Sequence, residues 1–301
     1  MKNINNVIDK TDELELLHSF HDSCENKDFH KFIEQLNLPD NILMQYTSSL
    51  EDAYNESKNC LNCPGLENCP NSAKGYVYTP EKESKIITFS YNACPKLRAN
   101  LKTNAYKENI ELFEMPKETT EASLKNIYKD DKSRVPIIKY FKEFFDNYDN
   151  EEKPKGLYLT GSFGCGKTYI IAAMFNEMAK KNKTCAMVYY PEFLRSLKSS
   201  FQTNYNEKFD YIKKADLLLL DDIGAENCSA WSRDEVLGPI LQYRMEAHLP
   251  TFFTSNLTLE ELETSLAITK NPADKVIARR IIERIKQLTT TLELIGKNRR
   301  D

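Results

Sequence analysis

Three stretches carry residues whose types and spacing suit chemistry on a polyphosphate. The first is Gly161, Ser162, Phe163, Gly164, Cys165, Gly166, Lys167 and Thr168, a G-x-x-x-x-G-K-[ST] pattern. A short apolar run, Leu157 to Leu159, precedes it and a helical pattern follows; strand, loop and helix in that order form a phosphate site. The glycines let the backbone turn tightly and aim N–H groups inward, while the helix adds unpaired donors and the positive end of its dipole. Lys167 is then in reach of β- and γ-phosphates, and the Thr168 hydroxyl of a Mg²⁺ ion. The loop therefore predicts binding of a nucleoside triphosphate, ATP in the first instance. The second stretch is four leucines, 217–220, ending in Asp221-Asp222. A wholly apolar strand in a parallel sheet delivers such carboxylates to its C-terminal edge, beside the phosphate loop. There Asp221 suits Mg²⁺ and Asp222 suits orienting or deprotonating an attacking water. The third is Asn256, which closes the strand-like LPTFFTSN. It suits either a polar sensor of the γ-phosphate or a cap for the helix that LTLEEL begins.

A different chemistry is concentrated nearer the start. Cys60, Cys63 and Cys69 fall within eleven residues that also hold two prolines, and Cys94 follows a strand-like pair, GYVYT and KIITFSY. C-x2-C presents two thiolates to one tetrahedral ion, and four cysteines would make a closed, structural Zn²⁺ site. A redox C-x-x-C would need a βαβ setting, which is lacking here. Incidental free thiols are the other reading.

The elements that must position these groups follow from composition and periodicity. At 301 residues and 41% hydrophobic the chain is expected to fold as two globular domains. Its apolar runs are too short to span a membrane. The start, MKNINNVIDKTDELELL, has neither the apolar core nor the cleavage site of a signal peptide, so the expected compartment is the cytoplasm. Charge divides unevenly: residues 1–132 hold 16 basic and 22 acidic side chains, and residues 133–301 hold 25 and 23. Within the second part, residues 279–301 hold seven basic against three acidic side chains; that tail could meet phosphates or be a solvated helix, while the acidic first part is not expected to bind nucleic acid alone. Residues 11–58 read as three amphipathic helices, with Phe29, Phe32, Ile33 and Leu36 on one face of the second. Residues 99–132 are polar and read as a linker with partial helix. Beyond it strands and helices alternate after a phosphate loop, which predicts a doubly wound α/β domain. A late amphipathic helix, DKVIARRIIER, bears three arginines. One of these could reach a neighbouring subunit's γ-phosphate, or all could be surface residues pairing with Glu283.

These motifs together resemble a known family. Residues from about 133 onward are similar to the AAA+ ATPases that load replicative helicases, the DnaC/DnaI type, and to the related transposition ATPases. The carrying motifs are GSFGCGKT (161–168), LLLLDDIGAE (217–226), FFTSN (252–256) and ARRIIERI (278–285). The front part, with CLNCPGLENCP, looks like the zinc-containing, helicase-binding domain of primosomal loaders. The resemblance implies an α/β P-loop (AAA+) domain with a parallel sheet at 133–301, a linker at 99–132, and a small helical zinc-binding domain at 1–98. It implies a slow ATPase that carries a hexameric replicative helicase onto single-stranded DNA, using ATP, Mg²⁺ and Zn²⁺ and assembling with other copies of itself. Within the match Asn256 is the sensor and Arg280 the arginine finger, while Phe201, Ser229 and Trp231 occupy places where loaders touch single-stranded DNA. For Trp231, simple packing is an equal reading. Two departures stand out. Asp222 replaces the glutamate of most AAA+ ATPases, and its shorter reach argues against fast hydrolysis. The second arginine sensor has only Arg299 or Arg300 as candidates. An accessory ATPase of DNA transposition and a non-hydrolysing ATP-binding adaptor are the alternative functions.

Overall fold

The computed structural model describes residues 10–84, 86–127, 132–150, 152–199, 205–267 and 272–298. Phe201, Arg299 and Arg300 lie outside them. The chain divides into two units at Ala105/Tyr106.

The first unit contains helices α1 (Lys10–Cys24), α2 (Lys27–Glu34), α3 (Asp40–Leu43) and α4 (Thr47–Leu61), then a hairpin of β1 (Tyr76–Glu83) and β2 (Ile86–Ala93), and α5 (Pro95–Asn104). Helix α2 starts where Asn26 accepts from the N–H groups of Asp28 and Phe29, and it buries Phe29 and Ile33, one turn apart. The third expected helix is split, because Met44–Tyr46 tightens into a 3₁₀ turn between α3 and α4. Phe20, Phe29, Ile33, Leu43, Leu50 and Ile87 form the core. A buried carboxylate joins α4 to the hairpin: Glu56 accepts from the Ser72 N–H and hydroxyl and from the Tyr78 N–H, at 3.0, 2.7 and 2.7 Å.

The second unit is built on a six-stranded, wholly parallel sheet. Its strands are β3 (Ile110–Phe113), β4 (Gly156–Gly161), β5 (Cys185–Tyr189), β6 (Leu217–Asp221), β7 (Thr251–Ser255) and β8 (Thr289–Leu294), in the spatial order β3-β5-β6-β7-β4-β8. Helices α6 (Val135–Asn147), α7 (Lys167–Lys180), α8 (Tyr190–Ser199), α9 (Tyr205–Lys214), α10 (Gly238–Glu246), α11 (Leu259–Leu266) and α12 (Pro272–Leu288) complete it. Two apolar clusters fill the unit. One gathers α6 and α7 (Phe141, Phe144, Ile171, Phe175), and the other α8, α10 and α12 (Phe193, Leu241, Ile282). Each leucine of 217–220 is fully buried, as a central parallel strand requires. The order sets β7 between β4 and β6, so their C-terminal ends meet at one edge.

The polar stretch expected as a linker is in part a piece of this unit. Ile110–Phe113 pairs in parallel with β5, and the Asn176 side-chain amide of α7 donates to the carbonyls of Thr119 and Ala122 at 3.2 and 2.7 Å. An edge strand of four residues, with only Ile110 and Phe113 buried, leaves too short an apolar signature to stand out from its charged neighbours. The threonine-rich β8 went unread for the same reason.

Arg244 ties the opposite edge together. Fully buried, it donates to the carbonyls of Lys213, Ala215 and Pro250 at 3.0, 2.7 and 2.8 Å and to the Thr251 hydroxyl at 2.8 Å. It thereby caps the C-terminal, negative end of α9 and pins it to the starts of β6 and β7.

Candidate functional site: a nucleotide cleft at the strand ends

The phosphate loop turns sharply out of β4 into α7. Gly166 is the N-cap of α7 with φ +94°, and Gly164 has φ +70°, values that disfavour any residue with a Cβ. A Cβ on Gly164 would also lie 1.9 Å from the Asn298 side-chain oxygen. The buried Arg134 guanidinium donates to the Cys165 carbonyl at 2.9 Å and supports the loop from beneath.

Around the loop the side chains predicted from sequence form one connected network. The Lys167 ammonium, only 8% exposed, donates to the carbonyls of Gly161 and Ser162, both at 2.9 Å, and to Asn256 Oδ1 at 2.7 Å. Asn256 Nδ2 donates in turn to Asp222 Oδ1 at 3.2 Å. The hydroxyls of Thr168 and Thr254 both donate to Asp221 Oδ1, at 2.7 and 2.6 Å. Thr254 also accepts from the Asp222 N–H at 2.8 Å, and Asp222 stands at φ +59°, a left-handed conformation that Asp tolerates better than most residues. Burial raises the Asp221 carboxyl above the ordinary range, against the two hydroxyl bonds that lower it. The alternative role for Asn256 is filled by another residue. Thr258 caps α11 in a capping box with Glu261.

These groups line a cleft of about 890 Å³, within the usual range for a bound small molecule. Lys167, Thr168, Asp221, Asp222 and Asn256 line one side, while Met115, Pro116, Asn126 and Tyr169 supply others; Phe163 of the loop also reaches it and is 71% exposed. The donor set fits a magnesium-bound triphosphate: the Lys167 ammonium with Arg134 beside it, a turn with positive-φ glycines at a helix start, a hydroxyl and two carboxylates. Sequence reasoning missed Thr254, Arg134 and the 114–127 segment. A polar Thr254 inside an apolar strand was a usable signal. Arg134 and Asn126 had none, because only the fold carries them to the loop.

Other predicted residues lie apart from the cleft. Arg280 is exposed on α12, and among the described residues it makes no ion pair. Glu283 pairs with Lys286 at 3.0 Å, and Arg279 with Glu263 at 3.5 Å, so the expected arginine–Glu283 pairing is not found. Ser229 exchanges hydrogen bonds with Ser232 at the head of a π-helical turn, Trp231–Leu237. Trp231 is half-buried against the core with the Lys198 ammonium 5.4 Å from its ring.

Cys60, Cys63, Cys69 and Cys94 of the first unit are half-buried and free of disulfides. Cys60 accepts from Asn71 Nδ2 at 3.7 Å, Cys69 from the Gly75 N–H at 3.4 Å, and Cys94 from the Leu97 N–H at 3.3 Å. A bond from the Gly65 N–H, helped by Lys96, lowers the Cys63 thiol, while burial and the neighbouring Cys63, Cys69 and Cys94 raise Cys60. Among the described residues no group of three or more His, Cys, Asp or Glu side chains is assembled as a metal site. Nor is any helix among them long and apolar enough to cross a membrane.

Residues 145–300 match the IstB-like ATP binding protein family. The chain is 36% identical over 255 residues to the replicative helicase loader DnaI of Bacillus subtilis (strain 168), covering 84% of this chain and 82% of that protein. The chain belongs to the DnaI-type family of IstB-like ATP-binding proteins. A crystal structure of DnaI superposes on this DnaI-type chain with TM-score 0.57 and 46% identity, over 65% of this chain and 99% of that one. Similarity to the replicative helicase loader DnaC of Escherichia coli (strain K12) is lower, 22% over 130 residues, or 42% of this chain and 48% of that protein. The second unit is thus an α/β AAA+ domain of the IstB-like, ATP-binding kind.

Proposed function

We propose that this chain is an ATP-dependent loader that binds the hexameric replicative DNA helicase and delivers it onto single-stranded DNA during primosome assembly. The observation that carries the reading is the extent of the similarity. The 255 residues aligned with DnaI outnumber those of the whole second unit, so the likeness continues into the cysteine-bearing first unit. A transposition ATPase would share the ATPase motifs without that front part.

In this reading Lys167 and the N–H groups of residues 161–168 hold the β- and γ-phosphates, and Thr168 and Asp221 hold Mg²⁺. The ion supplies charge neutralisation at the transferring phosphoryl group. Asn256 keeps Lys167 and Asp222 in register, and Asp222 orients the attacking water. Its side chain is one methylene shorter than glutamate, which favours slow turnover and a long-lived ATP state suited to timing a handover. Arg280 acts in trans on the cleft of a neighbouring copy, which fits its exposure and its place outside the lining of its own chain's cleft. Ser229 and Trp231, with Phe201, contribute to the single-stranded DNA contact; a stacked aromatic contributes about 1–3 kcal/mol per base. Residues 1–98 dock on the helicase, 99–132 connect the two functions and help to line the cleft, and 133–301 form the ATPase. The site of action is the cytoplasm.

Cys60, Cys63, Cys69 and Cys94 would hold a structural Zn²⁺. The support is four thiols that interact electrostatically, each accepting an N–H···S bond of the kind that steadies thiolate ligands. Metal analysis of the purified chain should give one zinc, and Cys60→Ser should remove it with loss of helicase binding. An unchanged stoichiometry would discard the assignment.

The test of the loader reading is co-purification with the host's replicative helicase in ATP, ADP and no nucleotide. The reading expects a complex in ATP that Lys167→Ala abolishes. Absence of a complex at micromolar concentrations in all three states would overturn it.

A further inference from the structure

One buried cation outside the cleft links the segment after Asp222 to the helix that bears Arg280. Arg233, on the π-helical turn 231–237, is 2% exposed and among the largest fully buried side chains. Its guanidinium grips Asp234 with two bonds, Nε to Oδ1 at 2.7 Å and Nη2 to Oδ2 at 3.0 Å. Nη1 reaches the Leu266 carbonyl at 3.0 Å, and both Nη1 and Nη2 reach Asp274 Oδ1 at 3.3 Å. Leu266 ends α11 and Asp274 stands in the first turn of α12, so one side chain holds the end of one helix and the start of the next.

A second tether runs the other way. Arg284 of α12 donates to the Gly238 carbonyl at 3.3 Å. A Cβ on Gly238 would lie 3.7 Å from Arg284 Nη1 and 3.8 Å from Ile281 Cδ1, ordinary contact distances that place α12 against the residue following the π-turn. Asp274 and Arg284 are about 15 Å apart along the helix at 1.5 Å per residue, and Arg280 lies between them. Ala278, Ile281, Ile282 and Ile285 bury the inner face of α12, but apolar contacts alone leave its axial and rotational setting loosely fixed. In this cluster only the arginine is buried, with Asp234 exposed and Asp274 half-buried; such ion clusters contribute little net stability over an apolar replacement, and their best-attested use is to fix geometry. π-helical turns, which strain the hydrogen-bond ladder, occur frequently at functional sites.

We propose that Arg233 is a positioning residue: it fixes α12 to the π-turn that follows the Asp221-Asp222 strand, and so sets Arg280 for the cleft of a neighbouring copy. This rests on the reading of Arg280 as acting in trans. The lever is geometric, since a long side chain contributes to a neighbour's site only when its own helix is held within about 0.5 Å.

The experiment uses full-length chains. Arg233→Met is expected to bind a fluorescent ATP analogue within about threefold of the parent, to exchange amide hydrogens in 272–288 at least about tenfold faster, and to lose at least about tenfold in DNA-stimulated turnover. Mixing it with Lys167→Ala chains, which keep Arg233 and Arg280 but cannot hold nucleotide, should restore turnover at the Arg233→Met clefts. Arg280→Ala mixed with Lys167→Ala is the control. Rescue of both variants supports the proposal. Rescue of Arg280→Ala alone overturns it while leaving the trans reading intact. Failure of both removes the trans reading and the proposal together, whereas undiminished turnover by Arg233→Met alone overturns the proposal and leaves the trans reading standing. Should Arg233→Met melt at the assay temperature, Asp274→Asn, which keeps the Asp234 pair, must show the same rescuable defect or the proposal fails.

Discussion

Asn256→Ala separates two functions that the cleft joins. The side chain accepts from Lys167 at 2.7 Å and donates to Asp222 at 3.2 Å. Hydrogen bonds to charged groups contribute about 1.5–3 kcal/mol each. After truncation Lys167 keeps its two carbonyl partners at 161 and 162, so its place in the loop survives and ATP affinity should change less than about threefold. Asp222 keeps its backbone bonds, its N–H to Thr254 and its carbonyl from the Ala225 N–H, but its carboxylate loses the Asn256 donor. Loss of one such bond from the reacting geometry predicts a fall in turnover of about 10- to 100-fold, or 1.4–2.8 kcal/mol. Asn256→Asp sharpens the test. It keeps an acceptor for Lys167 but sets a second carboxylate against Asp222, so turnover should fall below that of Asn256→Ala. Titration of a fluorescent ATP analogue and single-turnover hydrolysis measure the two quantities. Equal losses in affinity and turnover, or an Asn256→Asp chain more active than Asn256→Ala, would refute the reasoning.

Asp221→Asn should raise stability while removing function. Burial raises the folded-state pKa of this carboxyl, so the folded chain binds more protons than the unfolded one between the two values. Its contribution is therefore most favourable below the unfolded pKa and is lost as pH rises through the folded one. Thermal melts should show the variant above the parent at pH 7.5, with the gap closing towards pH 4, and Mg²⁺-dependent turnover reduced more than about tenfold. Arg244→Leu strands at least three buried carbonyls and should cost about 3–5 kcal/mol in urea unfolding. Gly164→Ala sets a methyl against the Asn298 side chain at φ +70°, and calorimetry should show ATP binding at least about tenfold weaker.

The chemistry was legible in the sequence where one element carries it. The loop 161–168 and its helix announce themselves by spacing, and the leucines ending in Asp221-Asp222 by their unbroken apolarity. Asn256 was legible as a position and not as a set of contacts, since its bonds to Lys167 and Asp222 exist only because β7 lies between β4 and β6. Thr254 faces Asp221 for the same topological reason. The segment 106–127 looked like a linker because its ordering comes from outside it, through the edge of β5 and the Asn176 amide. Arg233 and Arg244 carry no mark in the sequence that singles them out. Nothing local distinguishes from one in water a buried arginine whose burial depends on partners such as Asp274 and Ala215, 41 and 29 residues away in sequence.

The central claim is tested most directly by loading itself: transfer of the purified host helicase onto closed circular single-stranded DNA, scored by ATP-driven unwinding of an annealed strand. The account predicts that this chain accelerates loading in ATP and that Lys167→Ala does not. Unwinding that is the same with and without the chain, at concentrations where the cleft is saturated with ATP, would contradict it.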